Sequence, residues 1–227
     1  MSSRVNIEDM NLDEKLNKID EIENRSKFNK IDFEVLEKFS HDINDEVRSK
    51  VAEVLIFTDN KQGEEILIDL LDDKDELVRT NACDSLCISK SENVIKLLKN
   101  KILRDKSNLV RGYAVASLVD IVIAMDYKIE DMKMFFINVL LREKDNWVKI
   151  DVYRGLYMLG DERYLNKLIN ILNDRNYRNR CSVVNILGAL ICKENFNVIT
   201  SALENKFQVE KSEAVKSSIE DIVTKLE

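Results

Sequence analysis

The chain has 227 residues, with no proline, only five glycines, 44% hydrophobic and 34% charged side chains. This is too apolar for a disordered polymer and too poor in turn residues for a strand-rich fold, so helices joined by short polar loops remain. The net charge of −7 is concentrated at the start, where residues 1–75 hold 11 Lys+Arg against 21 Asp+Glu, while the basic stretch NDRNYRNR lies at Asn173 to Arg180.

In chain order, the opening segment MSSRVNIEDMNLDEKL is acidic and has no apolar signal core. No apolar run approaches the roughly 18–20 residues that span a bilayer. A cytoplasmic protein without membrane contact is therefore expected. Cys83, Cys87, Cys181 and Cys192 do not suggest a disulfide framework in so helical a pattern. The apolar spacing predicts a lone helix over 8–23 and then six helix pairs. These are 32–39 with 45–57, 64–71 with 76–88, 92–104 with 108–124, 130–142 with 146–159, 162–172 with 177–192, and 196–206 with 210–226.

The second helix of each pair repeats a pattern. Arg48, Arg79, Arg111, Lys149 and Arg180 are each followed at the third position by Val51, Ala82, Ala114, Val152 and Val183, and at the seventh by Leu55, Leu86, Leu118, Leu156 and Leu187. The residue just before is Val47, Val78, Val110 or Val148, failing only at Asn179, and the successive intervals are 31, 32, 38 and 31 residues. A period in this range means stacked helical hairpins, an all-α solenoid. The expected organisation is one domain over 1–227, with a capping helix at 8–23, regular repeats over 30–192 and a degenerate capping repeat at 196–227. In that last repeat Lys211 or Ser212 stands where the arginine should be. In the stretch LLDDKDELVRTNACDSL (Leu70 to Leu86), DDKD is the turn of a hairpin, with Asp75 or a neighbour expected to cap the second helix.

The motif D-x-x-V-R-x-x-A-x-x-x-L can be read five times between Asp45 and Leu187, and by it the chain resembles HEAT repeats. LGDERYLNKLINILND (Leu159 to Asp174) is similar to the inter-repeat stretch of bacterial HEAT repeats that also occur in phycobilisome-lyase-like proteins. The resemblance implies a binding scaffold in which the basic ladder bridges acidic loop residues of neighbouring units, with Asp45, Asp75 and Asp145 just upstream. It also implies that the second helices line an inner face.

The ladder read alone would also suit a row of phosphates, but the bridging role accounts for it better. Cys83 and Cys87, four apart, have metal-ligand spacing, yet both fall at core-facing positions and the only histidine, His41, lies far off in a loop. There is no Gly-rich phosphate loop and no Ser-His-acid set, so neither a cofactor, a metal nor a catalytic residue is assigned.

Counting from the ladder residue, the second position (Lys50, Asn81, Tyr113, Asp151, Ser182) and the fifth (Glu53, Asp84, Ala116, Arg154, Asn185) point outward on the inner face. Trp147, the only tryptophan, lies one turn before Asp151. It is either a binding anchor or a cover for the apolar end of its helix. Tyr113, Trp147, Asp151, Arg154, Asn185 and Asp84 are the candidate partner-binding residues.

The expected function is a non-enzymatic protein-binding solenoid, monomeric when free, whose acidic first third suits a basic partner such as a toxin or nuclease domain it would neutralise. An adaptor in a larger assembly is equally compatible. From the enzyme class, Trp147 with Asp151 is similar to the inner-face aromatic and Asp of HEAT-like DNA glycosylases, and a lyase-type chaperone is the other alternative. The acidic chain lacks the Lys and Arg rows a nucleic-acid backbone requires, and no catalytic residue is carried over.

Overall fold

The computed structural model describes residue 7 and residues 10–226, and among them every regular element is helical. Residues 8 and 9 of the expected first helix, and Glu227 at the end of the expected capping repeat 196–227, lie outside the described residues. The helices are α1 (Leu12–Glu23), α2 (Lys30–Phe39), α3 (Asp45–Val54), α4 (Lys61–Leu70), α5 (Glu76–Ser85), α6 (Glu92–Arg104) and α7 (Asn108–Met125). They continue as α8 (Ile129–Leu140), α9 (Asn146–Met158), α10 (Arg163–Ile171), α11 (Tyr177–Leu190), α12 (Phe196–Val209) and α13 (Glu213–Leu226). The chain divides into two compact units, residues 1–128 and 129–227. The division falls inside the long 38-residue interval between Arg111 and Lys149.

Local chemistry explains where the helices start. Asn44, Asp75, Asp145 and Asn176 each precede a second helix and accept a hydrogen bond from a backbone N–H of its first turn, which would otherwise be unsatisfied. Asn11 and Asn29 form full capping boxes with Glu14 and Asp32 ahead of α1 and α2. Asn60 caps α4, which therefore begins at Lys61 rather than at 64. The ends of the second helices tighten into 3-10 turns at Leu55–Phe57 and Leu86–Ile88, so the expected 45–57 and 76–88 are each an α-helix plus one such turn.

Packing follows the repeat. In residues 1–128, α1, α3, α5 and α7 stack side by side, and α2, α4 and α6 back them. In residues 129–227, α9, α11 and α13 stack in the same way, with α8, α10 and α12 behind. The third-position residues Val51, Ala82, Ala114, Val152 and Val183 are all fully enclosed, as are the seventh-position leucines. Between α11 and α13 the approach is so close that a Cβ at Gly188 would lie 2.6 Å from the Ile222 side chain, which would have to shift to admit it.

One expectation needs correction. α7 is 18 residues with a mean hydropathy of 1.5, long and apolar enough by composition to cross a bilayer. It nevertheless packs against α5 and α6, with Val110, Val115, Leu118, Val119 and Val122 in the core. Because α7 is enclosed on more than one side, its apolar residues run nearly all round it, and periodicity weakens where burial is this complete.

The basic ladder ties the turns together. Arg48 donates from Nε and Nη2 to the two carboxylate oxygens of Asp73 at 2.6 and 2.9 Å, and from Nη1 to the carbonyls of Asp42 and Ile43. Arg79 does the same with Asp105, at 2.9 and 3.1 Å, and the carbonyls of Asp73 and Lys74. Arg180 repeats it with Glu210, at 2.8 and 2.7 Å, and the carbonyls of Asp174 and Arg175. Each guanidinium thus closes its own turn and grips the acid of the next.

The acids gripped are Asp73, Asp105 and Glu210, not the expected Asp45, Asp75 and Asp145. Asp75 and Asp145 are N-caps, and Asp45 sits in the first turn of α3. The gripped acid lies two residues before the cap, and its second task is to accept the N–H of the cap residue or its neighbour: Asp75 for Asp73, Ser107 for Asp105, Ser212 for Glu210. Two rungs depart from the pattern. Lys15 of α1 takes the arginine's place against Asp42 at 2.5 Å. Among the described residues Lys149 reaches its own turn, the Lys144 carbonyl at 3.4 Å, and Asp174 is bound by the Asn146 amide.

These pairs are desolvated, which sets their energetics. Arg79 is 5% exposed, so Arg79→Ala strands the Asp105 carboxylate and two turn carbonyls in the interior and should cost about 3 kcal/mol. Arg163 is the control: its side chain is 81% exposed and pairs with Asp161 of its own loop, so Arg163→Ala should leave stability almost unchanged. Urea unfolding of both variants checks the contrast.

The carboxyls respond to pH accordingly. Burial pushes Asp73 and Asp105 up, but the arginine hydrogen bonds and the cap N–H outweigh it and hold both below the usual range. Glu210 is held far below it, by Arg180 first and by the Ser212 N–H and Lys206 as well. Carboxyls with depressed folded values contribute stability above their unfolded values of about 4, and it is lost as pH falls through the folded ones. Unfolding free energy should hold level from neutral pH down to about 5 on their account and fall steeply below about 4. Glu210→Gln should lower stability at pH 7 and flatten that acid limb.

Candidate functional site

The second helices present their polar residues on one face in each unit. In residues 1–128 the face is built by α1, α3, α5 and α7. Lys50 reaches Glu23 at 2.8 Å and Asp20 at 3.4 Å, and these two carboxylates, Glu23 first, raise its pKa. The Asn81 amide donates to Ser49 at 2.8 Å and to Glu53 at 2.9 Å, linking α5 to α3. Between the helices lies a concavity of about 430 Å³ whose walls carry Asp20, Asp45, Glu46, Glu53 and Asp75 against the single cation Lys50. Its floor includes Leu77, 54% exposed. This unit holds 20 Lys+Arg and 27 Asp+Glu, net −7, and the other holds 15 of each.

The six candidate residues fall in both units. Asp84 on α5 and Tyr113 on α7 belong to residues 1–128, the first exposed and the second half-buried. Partial burial, and then the nearby Asp120, push the Asp84 carboxyl up from its ordinary value. Trp147, Asp151 and Arg154 share α9 and are half-buried, while Asn185 on α11 is exposed. The second- and fifth-position residues are thus solvent-accessible to some degree throughout.

Trp147 shows a further detail. Its indole Nε1 is enclosed and has no hydrogen-bond partner among the described residues. A buried donor without an acceptor is destabilising by about 1–3 kcal/mol. Trp147→Phe, which keeps a ring and removes the donor, should therefore leave the melting temperature unchanged or raise it, whereas Trp147→Ala should lower it; thermal denaturation decides.

The four cysteines differ in burial, Cys181 being half-buried and Cys192 exposed. Cys83 is fully buried, and burial pushes its thiol up to about 12, so it carries no thiolate at neutral pH. Cys87 is half-buried and raised by burial and by Asp84. His41 is exposed in the turn before α3. No group of three potential metal ligands exists among the described residues.

What the sequence reading missed is the second acid of each turn. Asp42, Asp73, Asp105, Glu143, Asp174 and Glu210 each stand two residues before the residue that opens the second helix: Asn44, Asp75, Ser107, Asp145, Asn176 or Ser212. That acid-x-cap spacing is the signal for the clamp, and it recurs even in the last pair, where the arginine pattern fails.

Stacked antiparallel helix pairs tied turn to turn define an α-solenoid. Residues 33–119 match the family model for HEAT repeats, and the remaining helix pairs continue the same all-α repeat architecture. A solved chain from the complex of CpcE and CpcF of phycocyanin lyase from Nostoc sp. PCC7120 is similar over 98% of this chain and 92% of its own, with a TM-score of 0.61 and 17% identity. The Escherichia coli protein YibA is similar over 96% of this chain and 80% of its own, with a TM-score of 0.59 and 18% identity. At these identities the likeness establishes the fold. No curated protein matches the sequence.

Proposed function

We propose that this protein is a non-enzymatic scaffold that binds a protein with a basic surface and neutralises it, in the manner of an immunity protein against a toxin or nuclease domain. The carrying observation is the acidic concavity on the second-helix face of residues 1–128, where five carboxylates face one lysine around an exposed leucine. A field of one sign steers an oppositely charged partner, and an apolar side chain within it adds area for burial. Asp84 supports the same reading: its carboxyl is held up by burial and then by a neighbouring acid, and the attraction of a cation placed beside it would act against both. The similarity to a chain described in a complex of two proteins supports protein partnering. The four free thiols fit a reducing compartment, the cytoplasm.

On this reading Asp84 and Tyr113 are the candidate contacts within residues 1–128, and Trp147, Asp151, Arg154 and Asn185 are the candidate contacts within residues 129–227, each set taken by itself. Aromatic and arginine side chains are the usual anchors of such contacts. Trp147→Ala combined with Arg154→Ala should weaken the complex by roughly 2–4 kcal/mol. Affinity capture from the source cell, comparing the natural chain with an Asp45→Lys, Glu46→Lys, Asp75→Lys variant, tests the rest. The partner expected is a basic protein, lost to the variant and inactivated at equimolar ratio. An acidic partner, equal capture by both chains, or a partner whose activity survives saturation overturns the reading.

A further inference from the structure

The turns of residues 129–227 carry a second surface of opposite character. The turn between α8 and α9 is joined to the turn between α10 and α11 by the 2.5 Å bond from Asn146 to Asp174. That turn is joined to the one between α12 and α13 by Arg180 and Glu210. The three turns therefore form one continuous edge.

Along it the clamp carboxylates face inward, while Glu213, exposed at the end of the row, is paired with Lys216 at 3.2 Å. Glu210 is gripped by Arg180 and Lys206, Asp174 accepts from Asn146 and the Asn176 N–H, and Glu143 accepts the N–H groups of Lys144 and Asp145. The residue between clamp acid and cap is basic in all three turns: Lys144, Arg175 and Lys211. The clamp fixes its backbone. The Lys144 carbonyl accepts from Lys149, the Arg175 carbonyl accepts from Arg180, and the Lys211 N–H donates to Glu210. Its side chain is left exposed. Arg142 and Arg178 flank the row, also exposed, and no ion pair among the described residues engages Arg142, Lys144, Arg175 or Lys211. Interleaved with these cations are three exposed apolar side chains, Leu141 (79%), Tyr177 (45%) and Val209 (69%).

We infer that this turn edge is a docking surface for an acidic segment of another protein, one that alternates carboxylates with apolar side chains. The cations call for an anionic partner, and an array whose backbone is already fixed loses little entropy on binding. The apolar side chains separate the anionic candidates. A nucleic-acid duplex meets such an edge with phosphates and gives Leu141 and Val209 nothing apolar to cover them. An anionic bilayer would cover them, but the unit that carries the edge holds 15 Lys+Arg and 15 Asp+Glu and so has no net charge to draw it to such a surface. A protein segment touches the edge alone. This goes beyond the reading of residues 1–128 as the seat of a basic partner and does not depend on it.

The test uses the full chain and a fluorescein-labelled synthetic peptide of glutamate, aspartate and leucine, followed by anisotropy. The comparison probes are the same peptide with lysine in place of the acids, phosphatidylserine-containing vesicles and an RNA duplex. The acidic peptide should bind best of the four. Lys144→Glu with Arg175→Glu and Lys211→Glu should weaken it about tenfold, and Leu141→Ser with Val209→Ser about threefold. All five sites are exposed, so melting temperatures should stay near that of the natural chain. Lys144→Gln with Arg175→Gln gives a milder form of the same loss. Equal binding by the charge-reversed chain, no binding of the acidic peptide, or stronger binding of vesicles or duplex overturns the inference.

Discussion

The arginine–carboxylate clamp between successive turns is the interaction on which the remaining structure depends. Helix pairs of this kind bury apolar faces against their neighbours, but apolar contact has no direction and would tolerate sliding. A bidentate guanidinium–carboxylate contact, with two further bonds to the arginine's own turn, has one geometry. Repeated at Arg48, Arg79 and Arg180, it sets the register of each pair against the next and consumes turn carbonyls that would otherwise compete for water. The helix caps, the buried valines and the leucines at the seventh position all agree with the register so fixed.

Because the clamp faces inward, the surfaces on either side of it are left free to vary. One unit gathers carboxylates on its second-helix face around Lys50 and Leu77; the other displays cations on its turn edge. Both come from a single repeat pattern. The positions that hold the fold are the ladder residue, the clamp acid, the third and the seventh. The positions between them carry the charge. A solenoid can in this way change partners without changing its core.

The architecture was legible because its signals are local and repeated: a basic residue, a small or branched residue three later and a leucine seven later, recurring at near-constant intervals. The clamp acids were harder to see. Asp73 and Asp75 are the same residue type two positions apart, and only the three-dimensional path of the turn decides which faces the next arginine and which caps the helix. α7 illustrates another limit, since burial on several sides erases the periodic contrast that betrays an amphipathic helix. The candidate site residues were legible as positions on a face. Which side chains act together depends on partners and distances that no spacing encodes, and the unmet indole donor of Trp147 has no signature in the sequence at all.

The rung at Lys149 differs from its neighbours in kind. One long bond to its own turn and a borrowed amide stand where Arg48, Arg79 and Arg180 each place a four-bond guanidinium. The step from α9 to α11 is held instead by the apolar cluster that runs from Ile150 through Leu168 to Val183. Apolar burial has no direction, so at this rung the register rests on the fit of side chains rather than on a clamp.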